Sequence, residues 1–502
     1  MREAAPWLSA AAIPTGGLPS GAKSGTSPIL PMNLRLTLAV LVLSTAAAMA
    51  QPKTNVLFII ADDLNCDLGC YGVPEMKTPN IDSLAARGVR FDHAYCQYPL
   101  CSPSRSSFLT GRRPNITGVL ANPSAKTPMS PHFREKIPDT VTLPQHFKKN
   151  GWFSARVGKL YHYGVPNDIG TSSLDDFYSW DLCINPRGLD REIHDKIFSL
   201  TPGQFGGTVS WLAAPGEDAE HTDGIGAREA VKLLTRFKDR DQAFFLAVGF
   251  YRPHTPYVSP RRWFELYTTD KITLPALSVD DQSRTPKSAY NSAKPDQDKM
   301  TEQQKRDAIQ AYHASTSFMD AQVGVVLTAL QRLGLAENTV VVFTSDHGYH
   351  LADHGLWQKM SLFERSSRVP LIIAPPRVQT KGQAAAGLVE LLDLYPTLTA
   401  LCGLNPPDYV EGKSLVPMLE DPGKSVKEAA FTQVRRGERG EGYSVRAGKW
   451  RYTEWNVNGN QSAQLFDEEG DRAEAKNVAG DPANTDTVAK LKALLAQLRE
   501  TP

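Results

Sequence analysis

Several apolar runs in this chain end on acids or a histidine, and that pattern constrains its fold more than any other feature. Asn55 to Ala61 (NVLFIIA) leads into Asp62-Asp63, Ala243 to Phe250 (AFFLAVGF) is followed by His254, and Thr339 to Thr344 (TVVVFT) by Ser345-Asp346-His347-Gly348. Helical stretches alternate with these runs. Thr140 to Asn150 reads as a helix with Gly151 as its stop, before a strand over Phe153 to Val157. Thr222 to Lys238 is helical, and Thr301 to Leu333 carries a long helix with Gly334 as its C-cap. Pro370 to Ala374 is a further strand before Pro375-Pro376. This alternation predicts an α/β fold with a mostly parallel sheet. In such open sheets the ligand crevice lies outside the carboxyl ends of the strands, so residues far apart in sequence converge there.

A chain of 502 residues suits one large domain and a smaller one. The smaller unit is expected from near Asp421: Gly442 to Arg446 and Lys449 to Thr453 read as hairpin strands, and Asp486 to Arg499 as a helix. The expected organisation is 1–50, 51–420 and 421–502. A net charge of +1 excludes a global field for nucleic acid or a membrane surface, so any attraction for anions is local. At the N-terminus, Met32-Asn33-Leu34-Arg35 precedes an apolar run from Leu36 to Ala47, and Ala48-Met49-Ala50 follows. This is a signal-peptide pattern with cleavage after Ala50, Met32 as the start and export as the consequence. No later run is long enough to span a membrane. The six cysteines (66, 70, 96, 101, 183 and 402) form no disulfide framework for a chain of this size; Cys66 and Cys70 read as structural, with one bridge open to them. Pro275 to Lys299 is rich in Ser, Pro, Asp and Lys and reads as a long surface loop.

Asp62, Asp63 and Asp346 supply hard oxygens that suit Ca²⁺ or Mg²⁺ better than Zn²⁺. Taken alone, an acidic pair after a strand also fits an N-cap or an Asx turn. Cys101 stands in Leu100-Cys101-Ser102-Pro103-Ser104-Arg105, followed by Leu109-Thr110-Gly111-Arg112. If Pro103 opens a helix, Cys101 lies at its N-terminus, where backbone N–H groups favour an anion, and Arg105 lies one turn on. Taken alone, the stretch also fits a buried cysteine beside a Pro-Ser turn. Gly158-Lys159-Leu160-Tyr161-His162, Arg252-Pro253-His254-Thr255-Pro256 and Trp357-Gln358-Lys359 add two lysines and two histidines; taken alone, Lys359 also fits a solvated surface lysine, His162 a structural histidine and His254 a turn histidine bonded to backbone.

Together, and in this order, these segments resemble the type I sulfatase family over most of residues 55–377, with Phe343-Thr344-Ser345-Asp346-His347-Gly348 and Leu68-Gly69-Cys70-Tyr71-Gly72 in support. The resemblance implies an alkaline-phosphatase-like fold: a large mixed, mostly parallel sheet flanked by helices, plus a smaller C-terminal α+β subdomain. It implies that a maturation enzyme oxidises Cys101 to formylglycine, whose hydrate is the nucleophile. Asp62, Asp63, Cys101, Asp346 and His347 are then the metal ligands, with Ca²⁺ expected over Mg²⁺. Arg105 holds the diol, Lys159 and Lys359 bind sulfate oxygens, His254 protonates the leaving alcohol, and His162 takes the proton that lets sulfate depart. Many members of the family have Asn where this chain has His347; the iduronate-2-sulfatase branch resembles it in having His. The expected activity is hydrolysis of a sulfate ester on a uronate-containing glycan by an exported enzyme, periplasmic or extracellular, or lysosomal in an animal. Sulfatases of other polysaccharides, phosphatases or phosphonate hydrolases of the same fold, and a non-catalytic glycan-binding protein are the alternatives. The likeness is poor between Gly164 and Thr222 and in the Pro275–Lys299 loop, where the substrate pocket is shaped.

Overall fold

The buried strand Asn55–Asp62 alternates its apolar side chains between two cores, and that alternation defines the layers of the molecule. Val56, Phe58 and Ile60 face one core with Phe108, Phe147, Phe245 and Tyr395. Leu57, Ile59 and Ala61 face the other, closed by Leu233, Leu234, Val323 and Val326. Those last four residues lie on the helices Thr222–Lys238 and Glu302–Arg332. A strand apolar on both faces belongs in the middle of a sheet covered by helices on each side. The structure, a computed structural model, describes residues 53–123, 132–276, 283–437 and 440–500. The expected signal peptide lies outside the described residues. No described helix is long and apolar enough to cross a membrane.

The main sheet has eight strands in the order Gln383–Glu390, Val89–Tyr95, Arg368–Ala374, Thr339–Ser345, Asn55–Asp62, Phe244–Pro253, Phe153–Gly158, Leu182–Ile184. Pairing is parallel throughout except on either side of Arg368–Ala374, so the sheet is mixed and mostly parallel. This is the α/β architecture expected from the sequence. The predicted helix over Thr140–Asn150 is shorter, Leu143–Lys149, because Thr142 caps its start and bonds Gln145 N. The long helix starts after the same kind of capping box at Thr301 and runs to Arg332.

Ala429–Arg435, Gly440–Ala447, Trp450–Val457 and Asn460–Asp467 form an antiparallel meander. Leu491, Leu495 and Leu498 of the helix Thr485–Glu500 cover one face of it, against Val445, Tyr452 and Leu465. Arg451 ties this sheet to the main body, with Nε 3.0 Å from Glu468 and 2.9 Å from Glu474 and Nη2 on Glu364. The sheet and the larger layer belong to one compact unit, Lys53–Pro502. The bridge open to Cys66 and Cys70 is not formed: every described cysteine is a free thiol, and burial pushes Cys66 up to about 11.

Candidate active site

Four neighbouring parallel strands deliver the site. Thr339–Ser345 ends on Asp346-His347, Asn55–Asp62 on Asp62-Asp63, Phe244–Pro253 on His254, and Phe153–Gly158 runs into Lys159 and His162. Residues nearly 300 positions apart therefore meet at the carboxyl edge of one sheet. Asp62, Asp63, Asp346 and His347 are fully buried, as are Cys101, Arg105 and Lys159.

Local chemistry fixes each of them. Asp63 has φ +65°, a left-handed backbone that an Asp tolerates better than most residues. Its amide donates to Asp346 Oδ1 at 3.1 Å, and its carbonyl accepts from Tyr312 Oη at 2.8 Å. Gly158 has φ +74°, and a Cβ on Gly249 would lie 1.9 Å from the Lys159 carbonyl, so two glycines let the strands close up behind Lys159. Lys359 is held between Gln358 at φ +68° and Met360 at φ +73°, a strained segment of the kind found at functional sites. Asp223, at the start of the helix Thr222–Lys238, accepts from the amides of Tyr251 and Arg252, both at 2.9 Å. Arg252 in turn binds Asp190 Oδ2 at 2.6 Å, which fixes the turn that carries His254.

Cys101 is the first residue of the helix Cys101–Thr110, all ten residues of which are buried. The helix opens two positions before Pro103, earlier than the sequence suggested. Its first turn holds no acid, and Asn122 Oδ1 accepts from Ser102 N at 2.8 Å. Cys101 Sγ lies 3.3 Å from Lys359 Nζ, 3.4 Å from His347 Nε2 and 3.8 Å from Asp63 Oδ1. Burial opposes ionisation of this thiol, yet Lys359 and Lys159 outweigh it and lower its pKa.

Arg105 bonds several members of the cluster at once. Its Nη2 donates to Asp62 Oδ1 at 2.8 Å, its Nε to Asp346 Oδ2 at 2.9 Å, and its Nη1 to the carbonyls of Lys159 and Leu160 at 2.9 and 3.0 Å. The guanidinium orients two carboxylates and one lysine segment. Lys159 Nζ donates to Asp62 Oδ2 at 2.5 Å, and Lys359 Nζ to Asp63 Oδ1. The three carboxylates thus meet three cations, Arg105, Lys159 and Lys359. Burial works against ionising Asp62, but Lys159, His254 and Arg105 hold it well below the carboxylate range. For Asp63 burial prevails over Lys359 and raises the carboxyl to about 7.

The donor set fits a hard divalent cation. Ligand atoms of Asp63, Cys101, Asp346 and His347 all lie within 4.8 Å of one another, and so do those of Asp62, Asp63, Cys101 and His254. Asp63 Oδ2 is buried with no hydrogen-bond partner among the described residues, which leaves a lone carboxylate oxygen facing the cluster. His347 donates from Nδ1 to the Gly348 carbonyl at 2.9 Å, so its other nitrogen faces the carboxylates. Burial lowers this imidazole, but Asp346 beside it prevails and raises it to about 9.

The remaining histidines suit proton transfer. His254 donates from Nδ1 to the Thr255 carbonyl at 2.5 Å, leaving Nε2, 3.7 Å from Asp63 Oδ2, to face the cluster. His162 is buried; its Nδ1 has no partner among the described residues, and burial and Lys159 push its pKa down to about 3. A neutral imidazole of this kind is an available proton acceptor. His162, His254 and Lys359 line a cleft of about 600 Å³ with Asn122, Lys294 and Arg436. Sequence reasoning did not single out Asn122, Lys294, Arg436 or the anchoring Tyr312; only the loop containing Lys294 carried a signal, as a segment that departs from the expected pattern.

Comparison with known proteins agrees with this geometry. Residues 54–404 match the family model described as Sulfatase, and residues 352–501 the model of the N-sulphoglucosamine sulphohydrolase C-terminal region. A protein named sulfatase from Formosa agariphila is 35% identical over 465 residues, covering 89% of this chain and 87% of its own. Iduronate 2-sulfatase of Homo sapiens is 32% identical over 496 residues, covering 82% and 86%. Among solved structures, a 2-O GAG sulfatase superposes with a TM-score of 0.68 at 26% identity, covering 89% of this chain and 92% of its own. The phosphonate monoester hydrolase of Agrobacterium radiobacter, at 22% identity, shares the fold with a TM-score of 0.74 over 89% and 95% of the two chains. With the Sulfatase model matching residues 54–404, well over half of its length, the chain belongs to the sulfatase family.

Proposed function

We propose that this protein is an exported sulfatase that hydrolyses a sulfate ester on a uronate-containing glycan, with Cys101 matured to formylglycine and Ca²⁺ as the cation. One observation carries the reading: Cys101, at a buried helix start, lies against Lys359, His347 and Asp63, where a nucleophile, a cation and an anion can meet. The similarity to iduronate 2-sulfatase supports the uronate, and the apolar run before Ala50 supports export.

Asp62, Asp63, Asp346 and His347 would hold the cation together with residue 101, and Arg105 keeps two of those carboxylates in place. The bound cation supplies Lewis-acid polarisation of a sulfate oxygen and acidifies the nucleophile's hydroxyl. The hydrate of formylglycine, formed by adding water to the aldehyde, supplies two hydroxyls on one carbon, one to attack sulfur and one to expel sulfate as the aldehyde re-forms. Lys159 and Lys359 neutralise sulfate oxygens; His254, once it takes up a second proton on Nε2 while Nδ1–H stays on the Thr255 carbonyl, gives that Nε2 proton to the departing sugar oxygen; and His162 accepts one at the later step.

Mass spectrometry of the proteolytic peptide containing Cys101, paired with sulfate release from a 2-O-sulfated uronate disaccharide, tests this reading. A peptide that has lost its sulfur and gained an aldehyde is expected, and Cys101→Ala is expected to abolish turnover while retaining the fold. Turnover by that variant, or by protein whose residue 101 is wholly a thiol, sinks the mechanism.

A further inference from the structure

The cleft above the cluster holds two cations that the chemistry described so far does not use. Lys294 donates from Nζ to Gln358 Oε1 at 2.6 Å and to the Gly207 carbonyl. Both partners are neutral. The acid two residues on, Asp296, is occupied by Thr208 Oγ1 at 2.5 Å and Thr201 Oγ1 at 3.3 Å. Arg436 comes from the end of the first strand of the C-terminal sheet. Its Nη2 donates to the Met360 carbonyl at 2.5 Å, its Nε to the Ser288 carbonyl at 3.4 Å, and its guanidinium lies 5.2 Å from the Trp455 ring centre. Among the described residues neither cation has a carboxylate within ion-pair distance.

Two partly buried cations whose direct partners are all neutral are costly unless an anion arrives to pair with them; Asp296 and Asp63 act on Lys294 only from beyond ion-pair distance. Burial accordingly lowers Lys294 to about 8 and Arg436 to about 10. The same wall carries unused polar atoms. Gln358 is 5% exposed, yet its Nε2 has no partner among the described residues, and neither has Ser292 Oγ. Gln358 also places the pair relative to the reaction: it adjoins Lys359, which bonds Cys101 Sγ, so Lys294 stands beside the sulfate pocket.

We propose that Lys294 and Arg436 form a second anion subsite beside the sulfate pocket, which receives a further negative group of the same substrate, a uronate carboxylate or an additional sulfate. The proposal rests on the sulfatase reading of the cleft. It selects a substrate that carries two anions a sugar ring apart over one that carries a lone sulfate. Gln358 positions the Lys294 ammonium by accepting from it, and Arg436 brings the C-terminal sheet into substrate selection.

The test uses the matured, calcium-loaded protein and three substrates: a 2-O-sulfated uronate disaccharide, its carboxyl-reduced analogue, and the reduced analogue bearing a further sulfate on the neighbouring sugar. kcat/KM is measured for the wild type, Lys294→Met and Arg436→Gln, with Lys294→Arg and Arg436→Lys as charge-retaining controls and thermal melting as the check on folding. Loss of one charge-assisted contact is expected to lower kcat/KM for the doubly anionic substrates roughly 10–100-fold more than for the singly anionic one. The charge-retaining variants should recover most of it. Coupling to the carboxylate but not the extra sulfate identifies a uronate subsite, and the reverse a sulfate subsite. Equal factors on all three substrates overturn the subsite while leaving the sulfatase reading intact. A wild type that cleaves an aryl sulfate but none of the three glycans overturns the glycan reading and the subsite with it.

Discussion

Replacing His254 with Ala separates acid catalysis from sulfate binding. The imidazole is 4% exposed, and Nδ1 is committed to the Thr255 carbonyl, so only Nε2 can serve the leaving group. A sugar alkoxide is strongly basic and needs a proton as it departs. General acid catalysis is worth roughly 10²–10⁴-fold, about 3–5 kcal/mol at 1.36 kcal/mol per decade. An aryl sulfate with an acidic phenol leaves unaided, and its loss should be that of one hydrogen bond, about 0.5–1.5 kcal/mol or up to roughly tenfold. The variant should therefore discriminate between the two substrates by roughly 10–10³-fold in kcat/KM. His162→Ala should not discriminate, because its proposed step follows departure of the alcohol. The assay is sulfate release from a sulfated sugar and phenol release from an aryl sulfate under one set of conditions. Equal losses for both in the His254 variant would show that this residue binds sulfate and donates no proton.

Chelation with EDTA should abolish activity, and Ca²⁺ should restore it better than Zn²⁺, because three hard carboxylates face the site; full activity in protein shown metal-free by elemental analysis would contradict this. Gly249→Ala should cost about 1–3 kcal/mol or more in denaturant unfolding and lower kcat/KM as well, since its Cβ would meet the Lys159 carbonyl at 1.9 Å and both are backbone-held. His350 is fully buried, donates to or accepts from Ser361 Oγ at 2.6 Å, and is pushed by burial down to about 3. Its folded pKa lies below its unfolded value, so its contribution is complete above about pH 6.5 and is lost as pH falls toward 3, a span of about 5 kcal/mol at most. His350→Gln should flatten the acid limb of the stability curve, and parallel curves for variant and wild type would refute the assignment.

Much of the site was legible because each piece announces itself locally. An apolar run of strand length with acids at its end, as at Asn55–Asp62 or Thr339–Ser345, needs no partner to be recognised. The helices Thr222–Lys238 and Glu302–Arg332 and the hairpin from Gly440 to Val457 follow equally from periodicity and turns. Three other strands of the main sheet were less visible. Val89–Tyr95 mixes buried and half-buried residues without strict alternation, Gln383–Glu390 is an edge strand with exposed positions, and Leu182–Ile184 spans three residues.

The amino-acid sequence by itself determined the α/β alternation, the motif around Cys101, and the acids, lysines and histidines of the site, because those depend on residues adjacent in the chain. The tertiary structure alone decided which of them touch. Arg105 turns to Asp62 and Asp346 because the cost of burying two carboxylates makes the nearest buried guanidinium their partner. Lys294 and Arg436, from a loop and from the C-terminal sheet, meet at the cleft only once strands more than a hundred residues apart have paired, and no local pattern marks a cation that lacks a carboxylate.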